Sequence, residues 1–417
     1  MPKYFLKTYG CQMNKSDSER IAGILEENNY KPASDMKEAD LILINSCSIR
    51  QSAIDRIWGQ TKIISKLKIQ NPKIKAVLTG CVLKKDKRKF KERFDLIIDI
   101  KELSKLPGFL KNKTSINKHY LKIKPKYETS FRAYIPITTG CNNFCSYCVV
   151  PYTRGKEVSR QAKEIICEIE SLIKRNYKEI WLLGENVNSF RSGKIDFPKL
   201  LEMINNIPGN FWIRFTSPHP KDFSNKLINT IAQSKKATEY IHLPVQSGDD
   251  KILKKMKRPY TLKMYKDLVK RIRKSIPKMA LSTDIIVGFP GETIKQFENT
   301  IKLFKEIKFD MAYISQYSAR LGTLSSKMED NVSHKEKERR DLVLTKVLSK
   351  TALKNNKEYI GKKIEVLIEQ KKKTFLMGKT RSYKSIRFKG NKNLIGKFVK
   401  VKILGALPWG LKGELIK

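Results

Sequence analysis

The sequence predicts an α/β protein in three parts: an N-terminal parallel α/β sheet domain, a central partial or complete (β/α) barrel, and a small all-β barrel at the C-terminus. Three observations carry that expectation. A βαβαβ rhythm fills residues 1–120, six further strand and helix alternations fill 121–355, and short alternating strands separated by turn residues fill 356–417.

In the first part, apolar runs at Tyr4 to Thr8, Leu41 to Asn45 and Ala76 to Thr79 alternate with helical stretches at Ser16 to Asn28 and Ser52 to Ile69. Each run leads into a cysteine: Cys11, Cys47 and Cys81. Open parallel sheets bind their ligands beyond the carboxyl ends of the strands, so three thiols distant in sequence are expected to meet at one edge. Glycine precedes Cys11, Cys81 and Cys141 alike, a setting that inert core cysteines have no reason to share.

Strands of the second part are expected at Tyr134 to Thr138, Ile180 to Leu183, Trp212 to Phe215, Tyr240 to Leu243, Ser282 to Val287 and Met311 to Gln316. The stretches between them, such as Gln161 to Arg175 and Thr293 to Ile307, have the apolar spacing of amphipathic helices. A barrel would carry its site at the C-terminal ends of the strands; periodicity alone leaves a doubly wound sheet as the alternative. The third part has strand patterns at Lys363 to Gln370 and Lys397 to Leu404, with turns at Gly390-Asn391 and Pro408-Trp409-Gly410. Basic residues interleave there with Phe375, Tyr383, Phe388 and Phe398, a pattern suited to gripping phosphates and stacking bases.

Composition narrows the function. The formal net charge is +45 from 86 Lys and Arg against 41 Asp and Glu. Between Asn356 and the end, 17 basic residues face 4 acidic ones, a denser excess than in the rest of the chain. A lysine-rich compositional drift would spread evenly; a concentrated excess favours a polyanionic partner. No apolar run is long enough to span a bilayer and no leader is visible, so a soluble cytoplasmic protein is expected. Seven cysteines in such a chain argue against a disulfide framework.

The chemistry is carried by Cys141-Asn142-Asn143-Phe144-Cys145-Ser146-Tyr147-Cys148. A C-x3-C-x2-C loop can set three thiolates around one face of an iron–sulfur cubane, leaving one iron open to an exogenous chelator. Structural zinc is the competing reading. It needs a fourth ligand, and none of His119, His219, His242 and His334 supplies one locally.

That loop, placed after the first barrel strand, resembles the radical S-adenosylmethionine (SAM) superfamily. Tyr9-Gly10-Cys11-Gln12-Met13-Asn14, Asp17-Ser18-Glu19, Asn45-Ser46-Cys47-Ser48-Ile49-Arg50 and Cys148-Val149-Val150-Pro151-Tyr152-Thr153-Arg154-Gly155 extend the resemblance over essentially the whole chain. Together they are similar to the methylthiotransferase family. The resemblance implies two [4Fe–4S] clusters, one on Cys141, Cys145 and Cys148 and a second on Cys11, Cys47 and Cys81, the same three residues that the strand argument gathers. It also implies S-adenosylmethionine as cofactor and a C-terminal TRAM module for RNA.

The activity implied is insertion of a methylthio group at C2 of N6-dimethylallyladenosine next to the anticodon of tRNA. The partners implied are the tRNA anticodon stem-loop and an electron donor such as flavodoxin or ferredoxin, with the enzyme a monomer. Gly184, Glu185, Asn186, Gln246 and Arg154 are expected at the cofactor, and Lys379 and Arg381 at the RNA. Arg160 flanks the cluster loop, His242 lies at a strand end, and Cys167 reads as a small core residue. The chain departs from the family pattern at Glu185, where Gln is usual, at Val82 to Lys85, and at Tyr317 to Thr323, which lacks a proline before Gly322. Methylthiolation of threonylcarbamoyladenosine or of a ribosomal-protein aspartate, and a non-catalytic RNA-binding protein stabilised by metal, are the competing functions.

Overall fold

The computed structural model describes residues 1–47, 51–110 and 120–416; Ser48, Ile49 and Arg50 of the second cysteine motif, and His119, lie outside the described residues. The chain forms two compact bodies. One comprises Met1–Glu128, Tyr134–Arg160 and Arg320–Ser326, the other Thr129–Ala133, Gln161–Ala319 and Lys327–Lys417.

In the first body, β1 (Lys3–Tyr9), α1 (Gln12–Glu27), β2 (Leu41–Cys47), α2 (Gln51–Gln70), β3 (Lys75–Cys81) and α3 (Lys84–Phe90) follow in turn. The sheet is parallel, with β1, β2 and β3 at its centre and two-residue strands, Lys31–Pro32 and Leu96–Ile97, at its edges. Both faces are covered, which is why β2 is apolar without alternation. Leu41 and Leu43 pack with Ile21, Ile24 and Leu25 of α1. Ile42 and Ile44 pack on the other face with Ile57 and Ile64 of α2.

In the second body, β4 (Arg132–Pro136), where the chain crosses between bodies, is followed by α4 (Ala162–Lys174), β5 (Glu179–Leu183), α5 (Phe197–Asn206), β6 (Trp212–Phe215), α6 (Asn225–Gln233), β7 (Tyr240–His242), α7 (Leu262–Ser275), β8 (Ala280–Val287), α8 (Ile294–Ile307) and β9 (Met311–Gln316). The strands run in order β4-β5-β6 and β7-β8-β9, and a parallel bridge from Ile213 to Ala237 links the two sets. Strand order follows chain order without reversal. This is the open (β/α) barrel that the alternation predicts, and it excludes the doubly wound alternative.

A 24-residue helix, α9 (His334–Lys357), leads to β10 (Lys363–Lys372), β11 (Phe375–Thr380), β12 (Ser385–Lys389), β13 (Phe398–Leu407) and β14 (Gly410–Leu415), which close into a barrel in the order β10-β11-β12-β14-β13. Its core is Val366, Ile368, Leu376, Ile386, Phe388, Val401, Ile403 and Leu411.

This small barrel packs against the N-terminal ends of the parallel strands. Glu179, the first residue of β5, accepts hydrogen bonds from Arg132 and, at 2.6 Å, from Arg214 Nε. Arg214 also donates to the carbonyls of Arg381 and Thr380, both at 2.8 Å, and Arg132 pairs with Glu369. Trp212 meets Phe398 at 4.7 Å between ring centroids, and Lys384 pairs with Asp310.

Candidate functional site: two sets of three thiols

The first body holds six of the seven cysteines, in two groups. Cys47 and Cys81 end adjacent parallel strands and face each other in register, and their side chains hydrogen-bond. Cys11 caps the N-terminus of α1, two residues beyond β1. A buried polar network fixes that helix start. Asn14 Nδ2 donates to Asn45 Oδ1 and to the Ser46 carbonyl, both at 3.2 Å. Asn45 Nδ2 returns bonds to the Asn14 carbonyl at 2.8 Å and to Ser18 Oγ at 2.9 Å. Helix α1 therefore begins four residues earlier than its apolar spacing indicates, because this network, and not an apolar stripe, anchors its first turn.

Gly80 holds φ at +106°, and a Cβ there would run into the Ser46 backbone, so the close approach of β3 to β2 just before the thiols requires glycine. The hydrogen bond with Cys47 and burial push the Cys81 thiol well up, and the Arg154 guanidinium pulls it back. Cys11 is open to solvent on one side yet closely surrounded by protein on the other. That crowding raises its thiol, again opposed by Arg154.

The second group occupies a loop pinched at its base by a two-stranded ribbon that pairs Thr138 with Ser159 and Thr139 with Val158. Cys141 N–H donates to the Gly155 carbonyl at 3.1 Å and Glu157 N–H to Asn142 Oδ1 at 3.1 Å. Cys141 and Cys145 are buried, Cys148 is half-buried, and Asn143 N–H approaches Cys141 Sγ at 3.4 Å. The Ser146 carbonyl accepts from Ser325 N–H at 2.8 Å, so residues 320–326 brace the loop from far along the chain. Gly140 has φ of +76°, with the Lys156 and Gly155 carbonyls where a Cβ would stand. Gly140→Ala is accordingly expected to cost about 1–3 kcal/mol in backbone strain and to lower the iron bound per chain. Thermal unfolding and iron quantification after anaerobic reconstitution check both.

Among the described residues, no three Cys, His, Asp or Glu side chains are already closed to metal-ligand spacing. The fit of each group to a cluster is one of donor type and placement: three thiols at one sheet edge, three in one short loop. A guanidinium beside the first group offsets the charge that its thiolates would carry. That guanidinium is Arg154, expected at the cofactor; it is buried and donates to Asp17 at 2.5 Å, to Cys81 Sγ at 3.0 Å and to Tyr120 OH at 3.4 Å. Arg320 stands near Cys47, Asp55 and Asp86, whose charges favour its cation while burial opposes it. Sequence reading missed Arg320, which lies in the stretch noted only for its missing proline.

In the second body, Gly184, Glu185 and Asn186 follow directly on the C-terminal end of β5. Asn186 is buried; its Nδ2 donates to Asp222 at 2.8 Å, and its Oδ1 has no partner among the described residues. Gln246 sits beyond β7 with φ of +74° and bridges to Ile285 of β8, its N–H donating to the Asp284 carbonyl at 2.9 Å. A left-handed backbone at a non-glycine strand end is the kind of strain that functional sites retain. His242 Nδ1 meets Ser282 Oγ at 2.8 Å and Nε2 meets Asp284 at 3.2 Å, so it is held in a polar cluster. Arg160 donates to the Pro136 carbonyl at 3.2 Å within the first body. Cys167 is exposed on α4 and is not the core residue expected.

Lys379 and Arg381 differ from the reading that set them at RNA. Lys379 Nζ donates to Ser385 Oγ at 2.7 Å and lies 4.3 Å from the Tyr383 ring centroid, and burial lowers its pKa. Arg381 pairs with Glu239 and donates to the Ala237 carbonyl at 2.8 Å. Arg381 fastens the small barrel to the strand ends, and Lys379 is held within the barrel itself. The outward positions of β12, β13 and β14 instead present Arg387, Lys389, Lys400, Lys402 and Lys412, with Trp409 exposed at the connecting hairpin.

Comparison with known proteins agrees with this layout. Residues 135–304 match the radical SAM superfamily, residues 357–416 the TRAM domain, and residues 3–100 the uncharacterized protein family UPF0004. The tRNA-2-methylthio-N(6)-dimethylallyladenosine synthase of Clostridium botulinum strain Langeland is 42% identical over 99% of this chain and 97% of its own length. That of Dictyoglomus thermophilum is 42% identical over 100% and 99%. Among solved structures, the radical SAM methyltransferase TsrM from Kitasatospora setae, with cobalamin and a [4Fe–4S] cluster bound, is similar in fold, with a TM-score of 0.55 and 14% identity over 78% of this chain and 77% of that one. Radical SAM proteins carry a [4Fe–4S] cluster and use S-adenosylmethionine, in keeping with the thiol loop described above. With near-complete coverage at that identity, the chain belongs to the methylthiotransferase family of radical S-adenosylmethionine enzymes.

Proposed function

We propose that this enzyme inserts a methylthio group at C2 of N6-dimethylallyladenosine next to the anticodon of tRNA. The observation that carries the reading is the second set of thiols, Cys11, Cys47 and Cys81, gathered at the sheet edge of a chain that already holds a complete cluster loop. A single cluster suffices to cleave S-adenosylmethionine. A second three-thiol site has no use in that cleavage and suits storage of a transferable sulfur.

In this reading Cys141, Cys145 and Cys148 hold one [4Fe–4S] cluster, which with S-adenosylmethionine supplies a 5′-deoxyadenosyl radical. Cys11, Cys47 and Cys81 hold the other. Gly184, Glu185 and Asn186 hold the cofactor's methionine end, with the bare Asn186 Oδ1 as an acceptor and Gln246 as a supporting contact. The functional domains are 1–120, 121–355 and 356–417. RNA contact falls to Arg387, Lys389, Lys400, Lys402 and Lys412, exposed outward residues that can face phosphates, with Trp409 available for stacking. The anticodon stem-loop is the tRNA element bound, a flavodoxin- or ferredoxin-type protein gives the electron, and the enzyme acts as a cytoplasmic monomer. Among the described residues no helix is long and apolar enough to cross a membrane.

Mass spectrometry of tRNA nucleosides tests the substrate. A strain lacking the gene is expected to lose the methylthio form of dimethylallyladenosine and to accumulate its unthiolated precursor. Loss of the methylthio form of threonylcarbamoyladenosine instead would reassign the substrate.

A further inference from the structure

Arg154 lies six residues beyond Cys148, at the end of a single helical turn (Val150–Thr153) that carries Pro151 in its first turn. Its backbone N–H closes that turn onto the Val150 carbonyl at 2.8 Å. From this rigid start the side chain enters the other thiol group, where Nε is 3.0 Å from Cys81 Sγ and Nη2 is 2.5 Å from Asp17. Tyr120 OH accepts from Nη1 and donates in turn to Thr139 Oγ1 at 3.0 Å, in the ribbon at the base of the cluster loop. One side chain thus ties the segment that carries Cys141, Cys145 and Cys148 to the sulfur of Cys81. A guanidinium with under a tenth of its surface exposed, directed at a thiol, is an expensive arrangement for packing alone.

We propose that Arg154 is a positioning residue that sets the reduction potential of the cluster held by Cys11, Cys47 and Cys81. The physical ground is direct. A hydrogen bond from a cation to a ligating sulfur stabilises the form of the cluster carrying more negative charge, and low surrounding polarity enlarges the effect. The reduced cluster carries one more negative charge than the oxidised one, so Arg154 raises the potential. Asp17, paired with Arg154, opposes it. The inference rests on the reading that these three thiols hold a cluster, and the experiment separates the two.

Full-length protein with Cys141, Cys145 and Cys148 all changed to Ala isolates the site. It is reconstituted anaerobically, assayed for iron and sulfide, and titrated with redox mediators while the reduced cluster is followed by electron paramagnetic resonance. In this background Arg154→Gln is expected to cut the ratio of reduced to oxidised cluster at fixed poise about tenfold, which is about 59 mV for a one-electron couple. Arg154→Lys, which keeps the charge but not the fork, should fall between. Asp17→Asn, isosteric with its parent, should shift the potential the opposite way.

Opposite signs for the two substitutions support electrostatic tuning. Equal potentials in loaded variants, or shifts in the same direction, overturn it and leave Arg154 a purely structural ion pair. Absence of any cluster while Arg154 is intact overturns the cluster reading itself. Should the triple background not fold, the same titration in protein with all six thiols serves, the component lost on Cys47→Ala marking the site.

Discussion

Changing Cys145 to Ala is expected to bring reductive release of 5′-deoxyadenosine to background, while changing Cys47 to Ala leaves that release near the parent rate and stops methylthio insertion. Cys145 sits in the loop that the ribbon at Thr138–Ser159 closes. Two ligands on a cluster that needs three leave the open iron undefined. The loss corresponds to more than ~4 kcal/mol of transition-state stabilisation, at least a thousandfold in rate. Cys47, by contrast, is paired with Cys81 across strands β2 and β3. Assaying cleaved cofactor and thiolated tRNA in the same reaction gives the answer. Equal loss of both activities in Cys47→Ala would contradict the division of labour between the two thiol groups.

The second large effect is on stability. Glu179→Ala is expected to destabilise the second body by about 3–5 kcal/mol, since it strands Arg214 and Arg132 without their shared carboxylate. Denaturant unfolding of the full chain, followed by tryptophan fluorescence from Trp181 and Trp212, measures it. The same group gives a pH dependence. Burial raises the Glu179 pKa, but Arg132 and Arg214 outweigh it and hold the carboxyl at about 2. A folded pKa below the unfolded one means stability that is fully present above the ordinary glutamate range, near 4.3, and lost progressively as pH falls toward 2.

Strands and cysteines were legible in the sequence for a physical reason. Buried parallel strands are short apolar runs, so Leu41–Cys47 and Ala280–Val287 stand out within a residue or two of their ends. The convergence of Cys11, Cys47 and Cys81 followed from topology, because parallel strands put their carboxyl ends on one edge. What escaped was set by charge and by long-range contact. Helix α9 is so rich in Lys, Glu and Arg that only Leu344, Leu348 and Ala352 mark its buried face, and its length was invisible. Arg154, Lys379 and Arg381 looked like surface cations poised for anions. Arg154 and Arg381 find their carboxylates, Asp17 and Glu239, at sequence distances that no local pattern encodes, while Lys379 is held by Ser385 and the Tyr383 ring. Arg320 reaches the neighbourhood of Cys47 across more than half the chain for the same reason.

The fastening of the small barrel to the strand ends has a consequence for how RNA is engaged. Arg214 and Lys384 bury their charges at that seam, Arg381 pairs with Glu239 there, and Trp212 shares an apolar cluster with Phe131, Leu367 and Phe398. The C-terminal module is therefore no tethered arm that samples orientations until it finds a nucleic acid. If RNA binds Lys400 and Lys412 as proposed above, it would take a fixed heading with respect to those strands. On that proposal, selectivity among stem-loops would be a matter of rigid reach, a ruler rather than a hook.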